Sequence, residues 1–189
     1  MSECVHPSPE NSYNFVFDTN NIDRLVVDIV AIENCKRAIK KGYCFYITDV
    51  QQREFMGWPD RKGTYSDLKS WHPSENYKQI YSLIDELNIQ HISCIALLFK
   101  GFWIGDGSMR ILDDEGSLYE MFQSIHNKNR NHLRDAAIAE ATVYNHCILV
   151  TNDKRLRNKM NNFFPRSAIT YEDFIDSLNS ISRRSKHDD

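Results

Sequence analysis

The sequence has few of the residues that break regular structure: seven glycines and five prolines in a chain of 189 residues. This is about half the share found in an average protein, which argues against an all-β sandwich or barrel with many tight turns. The longest uninterrupted apolar run is residues 94–99, far short of the ~18 residues that a membrane span needs. The first ten residues carry acidic and proline positions where a secretory signal would need an apolar stretch. We therefore expect a cytoplasmic α/β or helix-rich protein.

Several familiar site motifs are missing. The five cysteines are scattered without a CxxC pair, and the seven histidines show neither HxH nor HExxH spacing. This usage is typical of reduced thiols and argues against a structural or protease-type zinc site. The P-loop, GxGxxG and GxSxG patterns are absent as well, which removes the usual phosphate cradles and the serine-hydrolase elbow.

Short apolar runs alternate with helical patterns along the chain, which predicts a three-layer α/β/α fold around a central, mostly parallel twisted sheet. Strands are predicted over 13–17, 43–47, part of 89–98, 147–150 and 168–170. Helices are predicted over 22–41, from 48 onward, and over 74–88, 118–128, 131–145, 154–160 and 171–181. We assign one domain to 13–182, with an insertion around 57–130 that includes a loop over 57–73 and a hairpin over 102–112. Residues 1–12 and 183–189 are read as a flexible lead-in and tail.

Aspartates follow two of the predicted strands. Asp18 comes directly after the first strand, and Asp153 comes three residues after the strand that ends at Val150. Ligands of open parallel sheets bind outside the carboxyl ends of the strands, so both side chains should project into one crevice. Asp135 near the start of an alanine-rich helix, and Glu54 in the helix after the second strand, are placed to reach the same crevice.

Several carboxylates in one crevice repel each other, and a bound divalent cation relieves that repulsion. Carboxylate oxygens suit Mg²⁺ or Mn²⁺, and two such ions about 4 Å apart can clamp the attacking water and leaving oxygen of a phosphodiester. Each acid also has a plainer reading: Asp18 and Asp153 as helix caps, Asp135 as a first-turn acid, and Glu54 as a solvated surface residue. The combination of four acids favours a metal site.

Four blocks of the sequence, FVFDTNNI, TDVQQREF, LRDAAIAEA and ILVTNDKRL, resemble the signature blocks of PIN-domain nucleases. These are metal-dependent endoribonucleases, many of them toxins of bacterial toxin–antitoxin pairs. The resemblance implies a PIN-like fold, Mg²⁺ or Mn²⁺ as cofactor, RNA as substrate, and an antitoxin or other regulatory protein as partner. It implies four catalytic, metal-binding acids and two supporting polar residues: Asp18, Glu54, Asp135 and Asp153, with Asn20 and Thr151.

The net charge of −3 is unevenly distributed. Residues 128–159 hold seven basic and three acidic side chains, a net +4 against −7 for the rest of the chain. Such a cluster is often only a solvated helix face. Beside an acidic crevice, however, cations would hold a phosphate backbone without selecting its sequence. We predict an RNA-binding rim made of Lys128, Arg130, Arg134, Lys154, Arg155 and Arg157.

Two other functions stay open. One is a non-catalytic PIN-like module that binds RNA or protein, which the presence of all four acids argues against. The other is a phosphatase of the haloacid dehalogenase kind, which also carries an acid after its first strand. That chemistry needs a second aspartate two residues after the first, and Asn20 occupies this position.

Overall fold

The computed structural model describes residues 14–55, 75–94, 115–127, 129 and 132–184, and the predicted loop over 57–73 and hairpin over 102–112 lie outside them. The described strands are β1 (Asn14–Phe17), β2 (Cys44–Thr48), β3 (Gln90–Ile92), β4 (Ile148–Val150) and β5 (Ala168–Ile169). The described helices are α1 (Thr19–Val27), α2 (Ile29–Ile39), α3 (Asp49–Phe55), α4 (Glu75–Glu86), α5 (Glu115–His126), α6 (Leu133–Tyr144), α7 (Lys154–Phe163) and α8 (Tyr171–Arg184).

The strands form one sheet in the order β3-β2-β1-β4-β5, and every pair of neighbours is parallel. The chain builds outward from β1 through β2 to β3, then returns to the opposite side of β1 and continues through β4 to β5. The direction of sheet growth therefore reverses between β1 and β4, where Phe17 is in register with Val150. The prediction of an α/β protein with a parallel sheet is confirmed.

Helices cover both faces of the sheet. The side chains of Phe15 and Phe17 enter one apolar cluster with α1, α2, α4 and α8, whereas Val16 enters a second cluster with α5, α6 and α7. Because parallel crossovers are right-handed, strands added on opposite sides of β1 place their connecting helices on opposite faces. This arrangement leaves the carboxyl ends of β1 and β4 open between the two helical layers.

The predicted insertion around 57–130 is described in part, and the described part contributes to the sheet and to both apolar clusters. β3 is the edge strand beyond β2. In α4, Ile80, Leu83 and Ile84 are buried in the first cluster, and in α5, Met121 and Ile125 are fully buried in the second. These residues therefore belong to the core of the domain.

The single helix predicted over 22–41 is wrong, because the chain breaks at Asp28 into α1 and α2. The Asp28 carboxylate accepts a hydrogen bond from the Ala31 N–H at 3.0 Å and caps α2. It also accepts one from the Tyr171 hydroxyl at 3.2 Å, which ties the break to α8. Gly42, at φ +88°, stands where the stop was predicted and adopts the left-handed conformation that glycine tolerates.

Three cysteines lie in the apolar core of the domain. The four cysteines among the described residues are free thiols, and Cys35, Cys94 and Cys147 are buried. Burial raises the pKa of Cys35 and of Cys147 to about 12, so these thiols stay protonated and serve as apolar fillers. None of the described helices combines the length and the apolar character needed to cross a membrane.

Candidate active site at the reversal of the sheet

Asp18 is fixed across the boundary between β1 and β4. Its backbone N–H donates to the Val150 carbonyl at 3.0 Å, which extends the pairing of the two strands by one residue. Its Oδ1 accepts from the Thr19 N–H at 2.8 Å, at the start of α1. Its Oδ2 accepts from the Thr151 hydroxyl at 2.7 Å. The half-buried carboxylate is therefore held by a residue from each of the two strand ends.

Thr151 links two of the predicted acids. The hydroxyl is buried and donates its proton to Asp18 while it accepts from the Asp153 N–H at 3.1 Å. One oxygen thus sets the position of the Asp18 carboxylate relative to the backbone of Asp153. The supporting role in catalysis that the sequence resemblance implies for Thr151 stays a prediction.

Asp153 caps α7 and also lies beside Arg155. Its Oδ1 accepts from the Leu156 N–H at 3.0 Å, which satisfies one of the unpaired amides at the helix start. Its Oδ2 lies 3.7 Å from Nη2 of Arg155. The cap and the site are therefore compatible, because each uses a different oxygen of the same carboxylate.

Asp135 joins the site through Arg155. The Nη2 of Arg155 forms a close ion pair with Oδ2 of Asp135, and its Nη1 donates to the Ile125 carbonyl at 3.3 Å. Side chains from the starts of α6 and α7 and a carbonyl of α5 thus surround one guanidinium. We call the resulting connected set the carboxylate network. It runs in the order Asp135, Arg155, Asp153, Thr151 and Asp18.

The electrostatics of Asp135 combine opposing effects. Burial raises the pKa of its carboxyl, and the negative charge of Asp153 adds to the rise. The guanidinium of Arg155 lowers the same pKa but offsets the rise only in part. The pair is about one third exposed on both sides, with 34% for Arg155 and 31% for Asp135, so water weakens the attraction. For this carboxyl, burial therefore outweighs the ion pair with Arg155.

Two buried amides hold the strand ends, and the sequence reading missed both in this role. Asn21 in α1 donates to the Val150 carbonyl at 2.8 Å. Gln51 donates to the Phe17 carbonyl, and its Oε1 also accepts from the Thr48 N–H at 2.8 Å at the start of α3. The sequence offered one signal for Asn21: it is a polar residue directly before Ile22, which belongs to the apolar face of α1.

The remaining predicted residues are placed as follows. Glu54 is part of helix α3, but the structure does not describe its side chain. Lys128 and Arg130 lie outside the described residues. Asn20, Arg134 and Lys154 are exposed. Arg157 donates from Nη1 to the Thr151 carbonyl at 3.1 Å. The described part of the rim therefore flanks the carboxylate network on α6 and α7.

The fit of a metal ion can be tested on these contacts. Within the described side chains, no group of three or more His, Cys, Asp or Glu residues is arranged to hold a metal ion. Arg155 lies between the carboxylates of Asp135 and Asp153. The Asp18 carboxylate accepts its hydrogen bonds from Thr19 and Thr151. The donor chemistry nevertheless fits Mg²⁺ or Mn²⁺, since the acids offer only carboxylate oxygens and two of them already surround a cation.

No family model matches this chain, and no curated protein or solved structure matches it either. The fold and site together define a parallel α/β protein with three connected aspartates near the reversal point of its sheet. In open α/β sheets this is the place where ligands bind.

The Thr151 hydroxyl should be required for the link between the two strand ends. Thr151→Val leaves the Asp18 carboxylate and the Asp153 amide without this partner, so the free energy of unfolding should fall by about 1–3 kcal/mol. Thr151→Ser keeps the hydroxyl and should cost about 0.8 kcal/mol for the lost methyl group. Urea denaturation measures both. Equal stability of the Val and Ser variants would contradict the link.

The pH dependence of stability should report on Asp135. Because its folded pKa is raised, this carboxyl favours folding below the unfolded value of about 3.9, and that contribution is lost as the pH rises through the folded pKa. Wild type should therefore lose stability relative to Asp135→Asn over this window, in the absence of divalent ions. Urea denaturation at a series of pH values measures the difference, with exposed Asp176→Asn as the charge control. If wild type instead gained stability relative to Asp135→Asn as the pH rises, the effect of Arg155 on the pKa of Asp135 would outweigh that of burial.

Proposed function

We propose that this chain is a PIN-like endoribonuclease that hydrolyses RNA phosphodiesters with Mg²⁺ or Mn²⁺. The observation that carries the proposal is the approach of Asp18 and Asp153 at the reversal between β1 and β4, joined by the Thr151 hydroxyl. Asp135 is connected to the same point through Arg155. We assign Glu54 to the site as the fourth acid, on the strength of the sequence resemblance alone.

The described residues supply orientation in this proposal. A divalent ion bound at these acids would supply an activated water and stabilise charge on the phosphate oxygens. Thr151 holds Asp18 in place from the buried side, and the Leu156 amide holds Asp153 so that its second oxygen stays on the side of Arg155. Such fixed dipoles matter because they need no rearrangement when charge develops in the transition state. The resemblance implies products with a 5′-phosphate and a 3′-hydroxyl.

The rim beside the site supports RNA as the substrate. Arg134 precedes Asp135 and Lys154 follows Asp153, and both basic side chains are exposed. Cations in this position can bind backbone phosphates next to the acids without reading bases. The antitoxin or other regulatory partner remains a prediction from the resemblance.

A second candidate is a non-catalytic PIN-like module that binds RNA or protein. The observation in its favour is the placement of Arg155, which already neutralises part of the charge of Asp135 and Asp153. A site of this kind needs no metal to remain folded. The two candidates differ in their expected RNA cleavage. The nuclease cleaves RNA and loses this activity when an acid is replaced, whereas the binding module does not cleave RNA even as wild type.

Catalysis should depend on the acids at the strand ends. Asp18→Asn or Asp153→Asn should reduce RNA cleavage by about 10²-fold or more, because each removes charge that positions a metal against the transition state. Asp176→Asn, an exposed acid on α8, should leave the rate unchanged. The measurement is single-turnover cleavage of mixed RNA with Mn²⁺. Near-wild-type cleavage by either strand-end variant would contradict the assignment, and no cleavage by wild type would favour the binding module.

RNA binding should follow the rim charges. Arg134→Ala combined with Lys154→Ala should flatten the dependence of log affinity on log salt by about 1.4, since each phosphate contact on a single strand contributes about 0.7. The matched control is Arg37→Ala with Lys40→Ala, which removes two exposed charges from α2 and its end on the other face of the sheet. Fluorescence anisotropy across a salt series measures the slopes. Equal slopes for the two double variants would return the rim to a solvated face.

A further inference from the structure

Arg155 is surrounded by groups that attract a cation. Its Nη2 contacts Oδ2 of Asp135 and lies 3.7 Å from Oδ2 of Asp153, while its Nη1 donates to the Ile125 carbonyl at 3.3 Å. These groups come from α6, from the cap of α7 and from α5. The guanidinium therefore occupies the space between two of the acids to which the proposed function assigns the metal.

The surrounding fold has other contacts that do not involve this guanidinium. Helix α7 is capped by Asp153 through the Leu156 amide, and its Leu156 and Met160 side chains are buried in the second apolar cluster. An ion pair about one third exposed adds only about 0–1 kcal/mol to stability. The placement of Arg155 is therefore better explained by its effect on the acids than by a need of the fold.

A divalent ion and this guanidinium would compete for the same carboxylates. Magnesium binds its ligands at about 2.0–2.1 Å, which would bring its charge close to a guanidinium that contacts Oδ2 of Asp135. Two cations at this separation repel each other. This repulsion favours release of the guanidinium when the ion binds.

We propose that Arg155 is the internal counter-ion of the carboxylate network and that a divalent ion displaces its guanidinium from Asp135 and Asp153. The proposal rests on the proposed function and concerns the regulation of the same site. In the metal-free protein, Arg155 compensates the two acids and lowers their affinity for the ion. Once displaced, its guanidinium is two residues from Asp153 and available to a phosphate of the RNA backbone. Metal binding and phosphate binding then strengthen each other.

The first test is the affinity for Mn²⁺, measured from the electron paramagnetic resonance signal of the free ion. Arg155→Gln should bind Mn²⁺ about tenfold more tightly than wild type, because a unit charge in contact with the ligands is removed from a partly solvated site. Arg37→Gln removes one exposed charge from α2, on the other face of the sheet, and should change the affinity less than about threefold, since water screens it. Arg155→Lys keeps the charge and should stay close to wild type.

The second test is the coupling to phosphate, with a short non-cleavable RNA analogue as the probe. The analogue should raise the Mn²⁺ affinity of wild type and should raise that of Arg155→Gln by a smaller factor. A residue with a merely structural role would leave this factor unchanged. If Arg155→Gln fails to fold, nuclear magnetic resonance of wild type replaces it: the Arg155 Nε–H signal should move on addition of Mg²⁺.

The outcomes separate the two proposals. Equal Mn²⁺ affinity of wild type and Arg155→Gln, or an Arg155 Nε–H signal that ignores Mg²⁺ while the ion binds, would overturn the counter-ion role and leave the metal site standing. Absence of Mn²⁺ binding in wild type and in every variant would overturn the proposed function, and the counter-ion role with it.

Discussion

The parallel pairing of β1 with β4 is the constraint on which the site depends. It brings residues 18 and 151 together, although they are separated by most of the chain, and it extends past the strands through the hydrogen bond from Asp18 N–H to the Val150 carbonyl. The Thr151 hydroxyl then spans the remaining gap to the Asp18 carboxylate. Because the sheet reverses direction here, the helices that follow β1 and β4 diverge to opposite faces, and ligands of open α/β sheets bind at a point of this kind.

The alternation of short apolar runs and helical stripes was enough to predict the parallel sheet and most of its helices. It was not enough to predict the break at Asp28, because the apolar stripe continues through both α1 and α2. The break depends on the Asp28 side chain, which bonds to the Ala31 amide and to the hydroxyl of Tyr171 in α8. Hydrophobic periodicity does not predict a helix cap that depends on a tyrosine distant in sequence.

The candidate site shows the same limit. Asp18 and Asp153 could be located from sequence because each follows a strand end, where a parallel sheet exposes its polar groups. The position of Arg155 could not, because a basic run after an aspartate is equally consistent with an RNA-binding rim and with an internal counter-ion. The contacts of Arg155 depend on the packing of α5, α6 and α7, which places the Ile125 carbonyl and Asp135 beside its guanidinium. These contacts arise from tertiary structure and leave no pattern in the sequence.

The central claim is that the carboxyl ends of β1 and β4 form a divalent-ion site. The most direct measurement is the broadening of backbone amide signals by substoichiometric Mn²⁺ in nuclear magnetic resonance spectra of the whole chain. The account predicts selective loss of the signals of Asp18, Thr19, Asp135 and residues 151–155, with the amides of α2 and the outer turns of α8 unaffected. Uniform weak broadening, or selective loss centred on another part of the protein, would contradict it.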